Sequence, residues 1–136
     1  DVKKFKQKAK SLTNVLILGH RPYDQVPALL KAADILVLPN SAKEKISNRY
    51  TSPLKLFEYM ASGQPIVASD LTSIHEVLNS QNSVLVKPDD AGDLAGGIKI
   101  VLDMSDHGAV ITRKALEDVQ QYSWQKRVEK ILDFLR

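Results

Sequence analysis

Two hydrophobic rhythms alternate along the chain. Four short runs are apolar at nearly every position and rich in β-branched residues: Val15-Leu16-Ile17-Leu18, Ile35-Leu36-Val37-Leu38, Pro65-Ile66-Val67-Ala68 and Ser83-Val84-Leu85-Val86. An unbroken apolar run is the pattern of a strand covered on both faces; a strand with one wet face alternates instead. Between and after these runs, apolar residues recur at helical spacing. Val26, Leu29, Leu30 and Ala33 fall at i, i+3, i+4 and i+7, and Trp124, Val128, Ile131, Leu132 and Leu135 make a second stripe. Each is the face a helix turns to a core, so Trp124 is expected in the core rather than as a stacking surface.

Punctuation sharpens the boundaries. Ser73 followed by Glu76 has the spacing of a capping box, and Asp90 with Asp93 makes a similar start ahead of Leu94. Gly63 suits a left-handed helix stop. The pattern predicts helices over 2–12, 25–33, 53–62 and 73–79, then near 90–103, 107–121 and 124–135, with strands at 15–19, 34–39, 65–69 and 83–87. Strands that alternate with helices imply βαβ units. The expected fold is therefore α/β, a Rossmann-like parallel sheet of about four strands flanked by helices, as a single domain over residues 1–136.

Composition narrows the classes of function. The chain has no cysteine, so disulfides and thiolate metal sites are excluded. No apolar run approaches the roughly 18 residues of a membrane span, and Asp1 to Lys6 has no apolar stretch after its charges, unlike a secretory leader. A cytoplasmic protein is expected. The net charge of +3 is modest, the basic residues are spread out, and no aromatic and Arg/Lys pattern of an RNA-binding sheet is present. Nucleic acid is thus not expected as a partner, whereas anionic phosphates or a bilayer surface suit a mild positive excess. His20 and His75 lack ligand-like neighbours, and Asp89, Asp90 and Asp93 fit a capped helix start better than a cation site.

One connection is long and polar, residues 40–52. It leaves the C-terminal end of a strand, the edge where open α/β sheets bind ligands, and loops of that length are usually functional or disordered. It is expected to gain order when a ligand binds. It leads into Thr51-Ser52-Pro53-Leu54-Lys55-Leu56-Phe57-Glu58, where Ser52 is a good N-cap and Pro53 a favoured first helical residue. The free N–H groups and positive dipole end of such a helix make an anion site. Lys55 is then either a phosphate partner or a solvated lysine. Glu58 has the acceptors to hold a ribose diol, but its i+3 spacing from Lys55 equally fits a structural ion pair.

The run from Ser52 to Asp70, with the strand ending Val37-Leu38-Pro39-Asn40 before it and Ser123-Trp124 near the end, resembles the donor-binding signature of the family 4, or group 1, glycosyltransferases. The likeness covers nearly the whole chain and is most specific in residues 34–70. It implies the C-terminal, nucleotide-sugar-binding domain of a two-domain GT-B enzyme. By that resemblance Glu58 binds ribose hydroxyls. Backbone amides from Thr51 to Leu54 meet the diphosphate and sugar, with Ser52 and Lys55 among the donor contacts. His20, Arg21 and Pro22 lie near the base. No cofactor or metal is generally needed, and the product retains its anomeric configuration. Many members carry a glutamate eight positions before the one matching Glu58; Tyr50 stands there, in the donor-sugar region.

The resemblance also implies parts outside this chain: two strands that open the domain, an Arg and a Lys for the diphosphate, and an N-terminal acceptor domain with the catalytic residues, none of which is identified here. A peripheral membrane association of the full enzyme is a further expectation, as is weak donor binding by this chain alone. With the family's sheet order of 3-2-1-4-5-6, two outcomes are open: strand 15–19 closes the gap and pairs with 34–39, which is the favoured expectation, or another chain satisfies the edge as a dimer or exchanged element. The alternative function is a non-catalytic Rossmann-like nucleotide-binding or regulatory module. A receiver-type signalling domain fits poorly, because Gly19-His20 and Pro39-Asn40 stand where its acidic residues belong.

Overall fold

A computed structural model describes residues 2–43, 54–104 and 107–135. Its elements run in the order α1 (Val2–Ala9), a 3-10 turn (Tyr23–Gln25), α2 (Val26–Lys31), β1 (Leu36–Leu38), α3 (Leu54–Ser62), β2 (Ile66–Ser69), α4 (Thr72–His75), β3 (Val84–Val86), α5 (Ala91–Asp103), α6 (His107–Val119), a second 3-10 turn (Gln120–Tyr122) and α7 (Trp124–Phe134). The three strands form one parallel sheet in the order β1-β2-β3. Leu36 pairs with Ile66, and Val67 with Val84, so each strand steps onto its neighbour through a helix, as parallel pairing requires.

The sheet is the middle of three layers. On one face Leu38, Ile66 and Ala68 meet Leu56 and Met60 of α3, Leu71, Ile74 and Leu78, and Ala115 of α6. On the other face Val67, Val84 and Val86 meet Leu94, Ile98 and Val101 of α5. Every residue of β2 is buried, which explains its unbroken apolar pattern. Gly63 has φ +76° and ends α3 in the left-handed conformation that its position at the stop predicts. The Asp90 carboxylate caps α5, accepting from the N–H groups of Gly92 and Asp93 at 3.0 and 3.1 Å.

Four expectations are corrected. Residues 15–19 form no strand, and the sheet of the described residues has three strands rather than four. Val15, Leu16 and Leu18 are exposed, Leu16 to 82%. An apolar run records a need for burial, but a strand also needs a neighbour for its N–H and C=O groups, and 15–19 does not pair with β1. Second, Ser73 is buried inside α4 rather than at its N-cap, which is Leu71, without a side-chain cap bond. Third, α4 stops at His75 rather than running to residue 79. Asn79 and Asn82 claim the backbone beyond it: Asn82 Oδ1 accepts from the Asn79 N–H at 2.8 Å, and Asn79 Oδ1 from that of Gln81 at 2.9 Å. Fourth, Trp124 is 79% exposed and α7 buries no residue. The stripe is real, but no described element covers it.

Candidate functional site

Glu58 stands in the second turn of α3, half-buried, beside two cavities. The first, of about 220 Å³, lies between α2 and α3, and Glu58 shares it with Tyr23, Val26, Pro27, Leu30, Lys31 and Ala61. The second, of about 420 Å³, opens towards α7, and Leu54, Phe57, Tyr122, Trp124, Arg127 and Lys130 line it together with Glu58. Tyr23 lines both. No ion pair joins Lys55 to Glu58 among the described residues, so the structural reading of that spacing fails. The neighbouring Tyr59 hydroxyl is held above the usual phenol range, first by burial and then by the negative charge of Glu58.

The walls have chemistry of their own. The Phe57 and Tyr122 rings meet at a tilt of 44° with centroids 5.0 Å apart, and the Arg127 guanidinium lies 5.7 Å from the centroid of the Trp124 ring. Aromatic rings, cations and a carboxylate that line one cavity have the chemistry to stack a base or sugar, accept hydroxyls and neutralise phosphates.

The sequence-predicted residues divide into three sets. Glu58 and Leu54 come together on the larger cavity. Lys55 is exposed one turn before Glu58 and lines neither cavity. Arg21 is exposed two residues ahead of Tyr23, and it too lines neither, although Gly19 turns the chain there with φ +73°. Tyr50, Thr51 and Ser52, with the expected ordering of the loop 40–52 beyond residue 43, lie outside the described residues. Tyr23, Tyr122, Trp124 and Arg127 were not foreseen as neighbours of Glu58. The Arg21-Pro22-Tyr23 turn signal at the ligand edge was the available hint for the first of them.

Further along the ligand edge, the three aspartates after β3 do three separate jobs. Asp90 caps α5, Asp93 accepts from the Lys87 N–H at 2.5 Å, and Asp89 reaches back to Ser41 and Ala42. His75 pairs with Asp70. Among the described residues no three His, Asp or Glu side chains group closely enough to hold a metal ion.

Comparison with known proteins bears on this geometry. Residues 1–104 match the family model described as glycosyl transferases group 1. An uncharacterized glycosyltransferase of Methanocaldococcus jannaschii is 30% identical over 112 residues, which cover 81% of this chain and 27% of that protein. Glycogen synthase of Mycobacterium tuberculosis is 33% identical over 98 residues, 71% of this chain and 22% of the enzyme. Among solved structures, Alr3699/HepE of Anabaena in complex with UDP superposes with a TM-score of 0.83 at 24% identity, over 98% of this chain and 36% of that one. The chain thus spans about a quarter of the length of these curated relatives.

Proposed function

This chain belongs to the group 1 glycosyl transferases, and from that premise we propose that it is the donor-binding part of an enzyme that moves a sugar from a nucleotide diphosphate sugar to an acceptor with retention. The observation that carries the reading is Glu58, a half-buried residue without an ion-pair partner among the described residues, on a cavity lined by aromatic side chains. Such a carboxylate accepts both hydroxyls of a ribose diol. The Anabaena neighbour has been solved with UDP and with UDP-glucose, which supports a nucleoside diphosphate sugar as the ligand class.

In this reading the donor lies along the ligand edge of the sheet, ribose on Glu58 and diphosphate towards Lys55 and the start of α3. Transfer breaks the bond between the anomeric carbon and the diphosphate oxygen, and charge grows on the departing phosphate. A cation and a helix N-terminus aimed there stabilise the transition state more than the ground state, without a metal. The acceptor domain and the residues that complete the chemistry belong to the rest of the protein.

The finer placement is a protein of the cytoplasm that meets the bilayer peripherally. Among the described residues no helix is long and apolar enough to cross a membrane. Residues 2–22 carry Lys3, Lys4, Lys6, Lys8, Lys10 and Arg21 with no Asp or Glu, a charge distribution that suits an anionic surface. The test of function is nucleoside diphosphate release by the full-length protein from UDP-glucose or GDP-mannose. Release that grows with an acceptor supports transfer. Tight nucleotide binding with no turnover across a panel of acceptors supports the non-catalytic module.

A further inference from the structure

Among the described residues, Tyr23 and Glu58 are the two that line both of the cavities beside α3. The cavities differ in chemistry. The one between α2 and α3 is walled by Val26, Pro27, Leu30 and Ala61, with Lys31 as its cation. Ser62 lines it too, but its hydroxyl is already engaged, donating to the Tyr59 carbonyl at 2.7 Å and accepting from the Gln64 N–H at 3.2 Å. The cavity towards α7 has two cations, Arg127 and Lys130, and Leu54 at the start of α3. At about 220 Å³ the first is smaller than the roughly 300–1,000 Å³ of a pocket that encloses a whole ligand. It has room for one ring system rather than for a complete donor.

A nucleoside diphosphate presents a flat base, a diol and a polyanion, in that order. With the diol on Glu58, its two ends leave in different directions. The anionic end suits the cavity that holds two cations and a helix start. The base has apolar faces and a polar edge, and it suits the cavity with aliphatic walls, where Lys31 can donate to a base carbonyl. Tyr23 is the aromatic residue of that cavity. It opens the 3-10 turn Tyr23–Gln25 behind Pro22, whose carbonyl accepts from the Gln25 N–H at 3.1 Å. Its ring is 76% exposed, so the fold itself gains little from it. His20, Arg21 and Pro22, which the resemblance places near the base, line neither cavity.

We propose that Tyr23 is the residue on which the donor's base stacks, in the cavity between α2 and α3. The inference rests on the donor-binding reading above and adds to it the direction in which the donor lies.

The test is calorimetry on the full-length protein with UDP and uridine, or with GDP and guanosine if the unaltered protein prefers them. Tyr23→Ala is expected to melt close to the unaltered protein and to raise Kd about tenfold for nucleotide and nucleoside alike, which is the scale of one base stacked on one aromatic ring. Tyr23→Phe keeps the ring and stays within about threefold of the unaltered protein. Ala61→Leu narrows the same cavity from an exposed position on α3 and moves both Kd values in the direction of Tyr23→Ala. Unaltered affinity in Tyr23→Ala or in Ala61→Leu overturns the proposal, as does a Tyr23→Phe protein as weak as Tyr23→Ala. A loss for the nucleotide that the nucleoside does not share also overturns it, because it puts Tyr23 on the phosphate side. If Tyr23→Ala binds as before while Glu58→Ala does not, this inference fails and the donor-binding reading stands. If the unaltered protein binds neither nucleotide, the donor-binding reading fails and this inference fails with it.

Discussion

Gly97 lies so close to Val86 that a β-carbon on it would stand 2.5 Å from Val86 Cγ1, and 3.1 Å from Val67 Cγ1. The close approach brings α5 down onto the sheet and completes the second face of the core. The adjacent Gly96 has nothing within 4 Å of its imagined β-carbon. Two neighbouring Gly→Ala substitutions should then act in opposite directions. Gly96→Ala should stabilise by up to about 1 kcal/mol through helix propensity. Gly97→Ala should destabilise by about 1–3 kcal/mol through overpacking. Urea unfolding of the two variants checks this, and equal shifts would contradict the packing of α5.

Asn82 is almost wholly buried and ties three segments together. Its amide donates to the Val77 carbonyl at 3.1 Å and to Asp118 Oδ2 at 2.9 Å, and its carbonyl accepts from the Asn79 N–H. Asn82→Ala should cost about 1–3 kcal/mol, because buried partners are left unsatisfied. A variant as stable as the parent in urea would contradict that role.

The Asp118 carboxyl is held below the usual carboxylate range, by its bond from Lys114 first and by that from Asn82. A carboxylate with a lower pKa folded than unfolded contributes its full stability above the unfolded value, and loses it as the pH falls through the folded one. The stability gap between the parent and Asp118→Asn should therefore be widest near neutrality and close below about pH 4. A gap that does not change with acid would contradict the linkage.

Much of the architecture was legible in the sequence for a physical reason. Runs such as Ile66-Val67-Ala68 are buried on both faces, and Asp90 and Gly63 act through local geometry, so pattern and punctuation determine them. What the sequence hid depends on distant partners. Residues 15–19 have a strand's composition but no paired neighbour, and the α7 stripe has a core's spacing but no described element over it. Ser73 matches a capping box, yet Leu71 starts the helix. Glu58 and Leu54 were legible as candidates, but that Tyr23, Tyr122 and Trp124 line the same cavity as Glu58 arises from packing between segments far apart in the sequence, about which spacing says nothing.

Trp124, the sole tryptophan, reports on that α7 surface. At 79% exposure beside Arg127, its emission in this 136-residue chain should be red-shifted and quenched by acrylamide nearly as freely as that of a model indole. Blue-shifted, protected emission would show that the stripe is covered.

Lys55 is proposed to neutralise phosphate. Lys55→Ala in the full-length protein should weaken UDP binding more than uridine binding, and Lys55→Arg should keep part of the affinity because the charge remains. Equal losses for UDP and uridine would contradict a phosphate role.

The central claim is that Glu58 holds the donor's ribose, and calorimetry on the full-length protein tests it most directly. Titration of Glu58→Ala with UDP, or with GDP if the protein prefers it, should lose most of the donor affinity, at least about tenfold, since hydrogen bonds to a charged acceptor are worth about 1.5–3 kcal/mol each. A Glu58→Ala protein that remains folded and binds the nucleotide with the unaltered enthalpy and affinity would contradict it.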